Sequence, residues 1–217
     1  MSEQQSAVRV AGFLYLFTNA TAIFGFYART KVIAAGDAAR TAANIVASEA
    51  LFRAGIAAEM ITIAGVIMLV AALYVVLEPV QRNWALLATF WRLAENFVLA
   101  VVPLNELAML RLARHGNSAL VSTLLGVYGD GFQIGFMFLG LGSAVFAYLW
   151  LKSRYVPRWL AVVGILASSL MAIVELAKIA VPGLAAAVTM AYMAPMGVFE
   201  FTMGGWLLFR GIRTSTT

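Results

Sequence analysis

The sequence contains no cysteine, a single histidine and only five prolines in 217 residues. The missing cysteine excludes disulfides, thiolate nucleophiles and cysteine-ligated zinc or iron–sulfur sites. One histidine, His115, cannot build a two-histidine haem or a histidine-rich di-iron centre within one chain. Gly-x-Ser-x-Gly, His-Glu-x-x-His, the phosphate-binding loop and the dinucleotide fingerprint are all missing, so no standard hydrolase, metalloprotease or nucleotide signature is present. Neither a metal nor a cofactor is expected. Charge is also sparse: 12% of the residues are charged against 63% hydrophobic. With a mean hydropathy of +0.90, the chain falls among integral membrane proteins. The net charge of +5 comes from Lys and Arg dispersed towards the ends of apolar runs. Such residues read as membrane-flanking anchors, and no nucleic-acid surface is expected.

What is present is a series of apolar runs near or above the ~18 residues that cross a bilayer. They predict an all-α, polytopic helical bundle with six transmembrane helices at about 8–28, 50–77, 84–112, 129–151, 159–181 and 185–209, forming a single domain over residues 1–217. The third run is interrupted by Pro103 and Asn105-Glu106; Glu78-Pro79, Arg114 to Asn117, Tyr155 to Arg158 and Pro182-Gly183 punctuate the others. Asp37 reads as the N-cap of an interfacial helix at about 38–48 that runs into the second span. One straight helix from Ala38 to Leu77 would be about 60 Å long, twice the hydrocarbon thickness, so a bend or a projection is required there. The polar start, Met1 to Ser6, lacks a basic region, and the first span is expected to remain in the mature protein. Basic residues favour a cytoplasmic N-terminus and C-terminus by seven (Arg9, Arg82, Lys152, Arg154, Arg158, Arg210, Arg213) to five (Arg29, Lys31, Arg40, Arg111, Arg114). No internal repeat is evident, unlike the inverted-repeat transporters.

Seven acidic residues lie inside or at the edge of these runs: Glu49, Glu59, Glu95, Glu106, Asp130, Glu175 and Glu200. An ionisable side chain in a span costs roughly 2.5–3.5 kcal/mol on insertion scales, so a polar interior is implied. Glu49 and Arg53 form an i,i+4 pair in the favourable order. Arg92, Glu95 and Asn96 share one face, and Glu106 returns to within about 20° of it. Glu175 has Lys178 three residues on, near enough to the Pro182 end to snorkel. Tyr128, Asp130 and Gln133 open a glycine-rich span in which Gly131 and Gly135 suit close helix approach, with Gly140 and Gly142 suited to a second. Glu59 and Glu200 have no cationic neighbour within a turn, and desolvation favours the neutral acid there, as a proton donor requires.

Ala11 to Leu16, Gly36 to Ala39, Ser48-Glu49-Ala50-Leu51-Phe52-Arg53, Trp91 to Glu95, Ile134 to Gly140 and Ser153 to Arg158, in that order, resemble the bacterial family called domain of unknown function 4386. The resemblance covers nearly the whole chain and implies a small multi-pass bacterial membrane protein; it carries no established activity, and the inner membrane is the expected location.

From the residues, the leading expectation is a polar pocket between the second, third, fourth and sixth helices that binds a small amphipathic or lipid-like ligand. Arg53 and Arg92 would hold its polar end, Glu49, Glu95 and Asn96 would orient those guanidinium groups, and Tyr128, Asp130 and Gln133 would add contacts. An acid–base enzyme of isomerase or cyclase type, with Glu59, Glu95 or Glu200 as proton donor, and a proton-coupled small-molecule transporter are the alternatives. A purely structural or partner-binding role, with every carboxylate paired, is the fourth. Apart from the lipid bilayer no partner is specified, and the sequence does not set the oligomeric state.

Overall fold

The computed structural model describes residues 3–181 and 183–213, and Met1, Ser2 and Pro182 lie outside the described residues. The chain is helical throughout, with no strand among the described residues: α1 (Glu3–Val32), α2 (Ala38–Ala47), α3 (Glu49–Leu77), α4 (Arg82–Leu99), α5 (Val101–Arg114), α6 (Ser118–Ser153), α7 (Arg158–Ala180), α8 (Leu184–Ala187) and, after a 3₁₀ turn at Met190–Met193, α9 (Ala194–Gly205), which continues through a π-helical turn at Trp206–Arg210. Five stretches are long and apolar enough to cross a membrane: Gln4–Val32, Glu49–Leu77, Arg82–Arg114, Ser118–Ser153 and Arg158–Ala180.

Local chemistry explains where the observed elements depart from the expected ones. The run at 185–209 is not one helix. Pro195 sits in the first turn of α9, where its missing N–H is harmless; extending the helix backwards would drive its ring into the carbonyl of residue 191. The 12 residues of α9 and five of the π turn therefore fall just short of ~18. In the third run the break lies at Ala100, ahead of Pro103, because the proline ring excludes a helical bond to the Leu99 carbonyl. The fourth helix starts at Ser118, eleven residues before its expected start, with the Asn117 side chain accepting the Leu120 N–H at 3.1 Å. Asp37 caps α2 as expected, accepting the Arg40 N–H at 2.8 Å, and the required bend falls at Ser48.

Helix α1 packs along α3, α6 packs against both α4 and α7, and α9 fits between α1 and α7. Glycines set the closest crossings. A Cβ on Gly140 would lie 2.6 Å from the Ser168 carbonyl and the Ala172 nitrogen, and one on Gly55 would lie 3.0 Å from Ala28 Cβ. The main core gathers Leu69, Leu73, Phe146, Trp150, Leu160 and Phe199; a second core of Val32, Ile45, Phe52, Met109, Leu110 and Val121 joins α2, α5 and the first turns of α3 and α6. Between membrane helices such side chains hold the bundle through close packing rather than through transfer from water.

Helix length sets the depth of each polar residue. At 1.5 Å per residue α6 is about 54 Å long, so a ~30 Å hydrocarbon layer measured from its Ser153 end reaches only to about Gln133. The second core lies at the opposite end of the bundle from Ser153. Arg92 is ten residues in from Arg82 and Glu200 ten from Arg210, which puts both about 15 Å from the Ser153 end of the bundle.

Candidate functional site

The central polar group forms where α1, α4, α6 and α9 meet. Helix α4 presents Arg92, Glu95 and Asn96 on one buried face, each 4% exposed or less. Asn96 Nδ2 donates to the Arg92 carbonyl at 2.8 Å, tying the amide to its own helix. Arg92 Nη1 reaches the Ser143 hydroxyl on α6 at 3.4 Å and approaches Glu95 Oε2 at 2.9 Å. Gly142 makes room for this arginine: a Cβ there would lie 2.7 Å from Arg92 Cγ.

Glu95 is the exception in an otherwise bonded interior. Its approach to Arg92 is a charge contact at an angle that makes no hydrogen bond, so Oε2 is buried and unbonded. The other such atom among the described residues is the indole nitrogen of Trp150. A neutral indole costs far less to leave unpaired than a carboxylate does. Glu200, half-buried on α9, accepts a hydrogen bond from Asn19 Nδ2 at 3.1 Å. Tyr15, buried on α1, supplies the backbone carbonyl that Asn19 Nδ2 also reaches at 2.8 Å.

A second buried group surrounds Arg29 near the end of α1. Its Nε donates to Glu106 Oε1 at 2.7 Å and its Nη2 to Glu106 Oε2 at 3.1 Å, while Nη1 donates to Glu59 Oε2 at 3.1 Å. The guanidinium also lies 5.6 Å from the ring centres of Tyr128 and Phe132, a cation–π arrangement. A two-pronged carboxylate contact is the geometry a planar guanidinium favours. Glu59 lies 18 residues from Leu77, about 27 Å along α3 and so near the far edge of the layer.

The remaining sequence candidates are elsewhere. Glu49 pairs at the far end with Arg53 (2.7 Å) and Arg114 (3.0 Å), all partly exposed. Arg53 and Arg92 lie on the antiparallel neighbours α3 and α4, about 20 Å apart along the bundle, so they do not share a pocket. Asp130 is exposed, 23 residues from Ser153 and hence about 35 Å from that end. Gln133 is half-buried on the same helix. Glu175 is closed off by Lys178 (2.8 Å) and the Tyr192 hydroxyl, which donates to its other oxygen. An open depression of ≈ 360 Å³ lined by Thr30, Lys31, Asp37, Arg40 and Asn44 lies at the α1–α2 corner, away from Glu95. No group of three or more potential metal-ligating side chains occurs among the described residues.

Sequence reasoning placed Arg29 among the flanking cations, and the structure corrects this: it is 5% exposed and holds two carboxylates. Glu59 and Glu200 have no partner on their own helices, yet each has one on α1. Asn19 and Ser143 were overlooked. Thr18-Asn19, a polar pair inside the first apolar run, was the available signal for the first of them.

The family described as Domain of unknown function (DUF4386) matches residues 10–211, and the chain belongs to that family. No curated protein and no solved structure matches it.

Proposed function

We propose that this DUF4386-family protein is a six-pass protein of the bacterial inner membrane that takes up and releases protons at buried carboxyls, coupling them to movement of a small molecule across the bilayer. One observation carries the reading: Glu95 is 4% exposed, and its Oε2 is met by the Arg92 guanidinium at 2.9 Å but makes no hydrogen bond. A buried carboxylate offset by one guanidinium and no hydrogen bond at Oε2 still bears a desolvation cost as an anion, and binding a proton removes that cost without requiring space. Intramembrane carboxyls of this kind are characteristic of proton relays. The sixth pass is the stretch from Ala194 through Arg210, in which Glu200 faces the same group.

With Arg29 removed from the flanking count and Arg53 and Lys178 added to the far end, seven basic residues at the Arg9–Arg210 end still exceed six at the other. This supports a cytoplasmic N-terminus and C-terminus. The ligand-holding pair Arg53 and Arg92 is not favoured, because the two arginines are separated along the bundle.

The test is a pH jump applied to proteoliposomes adsorbed on a solid-supported membrane. Wild-type protein is expected to give a transient charge movement that Glu95→Gln abolishes and Glu49→Gln, at the exposed end, leaves intact. No charge movement, or an undiminished one in Glu95→Gln, would overturn the proposal.

A further inference from the structure

Two cations that form no ion pair share one open depression. Lys31, in the last turn of α1, and Arg40, in the first turn of α2, both line the ≈ 360 Å³ hollow at the α1–α2 corner. Both are exposed, and neither belongs to an ion pair among the described residues. Hydrogen bonds fix the corner that shapes the hollow. Gly36 turns the chain at φ +76°, and the buried Thr41 hydroxyl accepts the Ala34 N–H at 3.0 Å and donates to the Asp37 carbonyl at 2.8 Å. Asn44 Nδ2 donates to the Val32 carbonyl at 3.0 Å. Asp37, also in the wall, has one carboxylate oxygen bonded to the Arg40 N–H. With Lys31 and Arg40 against Asp37, the lining carries a net positive charge of one.

We propose that this corner binds the phosphodiester headgroup of an anionic glycerophospholipid, with an acyl chain running down α1. The site is separate from the buried carboxyls and does not rest on the proton-coupled reading. Charge selects the class. A phosphodiester monoanion neutralises the lining, a more highly charged phosphomonoester overshoots it, and a zwitterion carrying its own ammonium leaves the positive charge in place. Arg40 supplies the planar donor that phosphate oxygens favour, and Lys31 supplies a mobile one. Position selects a lipid over a free ion. Helix α1 is of membrane-crossing length, so its last turn falls where a span leaves the hydrocarbon. Phe24, Tyr27 and Lys31 follow at spacings of three and four along one of its faces. Tyr27 is 51% exposed, and Lys31 Nζ sits 5.3 Å from its ring centre. An aromatic ring one turn inside a lysine suits the membrane–water interface, and the exposed Phe24 beyond it offers the apolar surface against which an acyl chain lies.

The test is native mass spectrometry of purified full-length protein in nonionic detergent, titrated with dioleoylphosphatidylglycerol, dioleoylphosphatidylcholine or dioleoylphosphatidic acid. Wild-type protein is expected to bind phosphatidylglycerol in preference to the other two. A basic residue near a headgroup is worth about fivefold, so Arg40→Ala is expected to weaken phosphatidylglycerol binding about fivefold and Lys31→Ala/Arg40→Ala about 30-fold. Arg154→Ala/Arg158→Ala, which removes two exposed cations from the opposite end, is expected to leave that binding unchanged. Asp37→Asn keeps an N-cap acceptor while removing the opposing charge, and is expected to shift the preference towards phosphatidic acid. Equal binding of phosphatidylglycerol and phosphatidylcholine by wild type, undiminished binding in the folded Lys31→Ala/Arg40→Ala variant, or an equal loss in the Arg154→Ala/Arg158→Ala control would overturn the inference. Displacement of phosphatidylglycerol by equimolar inorganic phosphate or glycerophosphate would make this a free-anion site and overturn the lipid assignment. These readouts do not involve Glu95, so this inference and the proton reading fail separately.

Discussion

Arg29 and Glu106, 77 positions apart, form a two-pronged buried bridge, with 2.7 Å between Nε and Oε1 and 3.1 Å between Nη2 and Oε2. The bridge connects α1 to the short helix beyond the Ala100 break, and the third guanidinium nitrogen holds Glu59 on α3. One side chain thus joins three helices at the edge of the hydrocarbon layer.

Arg29→Ala leaves Glu59 and Glu106 buried without a cation. Loss of one partner of a buried ion pair costs about 3–5 kcal/mol, and a correspondingly lower thermal unfolding midpoint in detergent is expected. Combining Arg29→Ala with Glu59→Gln and Glu106→Gln is expected to recover part of the loss, since the orphaned charges go with it. If the triple variant were no more stable than Arg29→Ala, packing rather than charge would account for the effect.

Gly142→Ala places a methyl group 2.7 Å from Arg92 Cγ and 3.1 Å from the Ala88 carbonyl. Overpacking of this kind costs about 1–3 kcal/mol. The charge movement at Glu95 is expected to change as well, because Arg92 is the residue displaced. Gly126→Ala, on the same helix with nothing within 4 Å, is expected to be neutral or to stabilise by roughly 0.5–1 kcal/mol through helix propensity. Unfolding of the two variants side by side separates close packing from a general intolerance of larger residues in α6.

Tyr192→Phe removes the hydroxyl that donates to Glu175, a residue 1% exposed. Losing a hydrogen bond to a charged group costs about 1.5–3 kcal/mol, read as a lower unfolding midpoint. Lys178→Ala is expected to cost more, because it leaves the carboxylate without a cation. Both variants are expected to keep the pH-jump charge movement, as this group is closed on itself.

Glu49→Gln breaks the contacts to Arg53 and Arg114 at the exposed end. Solvent screens such pairs, so little change in unfolding midpoint is expected. High salt is expected to diminish even that difference.

Much of the architecture was legible because it follows from local rules. Apolar runs of span length identified five of the membrane-length helices, and Asp37 marked the start of α2 through its own hydrogen bond. The Glu49–Arg53, Arg92–Glu95 and Glu175–Lys178 pairs were readable because residues three or four apart on a helix must meet. Boundaries were less legible where proline acts at a distance: Pro103 breaks the chain at Ala100, and Pro195 shortens the last long helix from behind.

The sequence by itself determined that this chain lies in a membrane, that it is helical and that it carries acids lipid cannot tolerate, because these depend on composition and on a 3.6-residue repeat. Only the tertiary structure decided which acids are neutralised. Arg29 follows an apolar run and is indistinguishable in sequence from a flanking anchor; the close α1–α3 crossing, with Gly25 and Gly55 at the contact, is what turns it inward to Glu59 and Glu106. Glu59 and Glu200, alone on their own helices, acquire partners across the bundle. Glu95, which has an arginine one turn away, is left without a hydrogen bond, because sequence spacing brings charges near each other but only packing sets the angle between them.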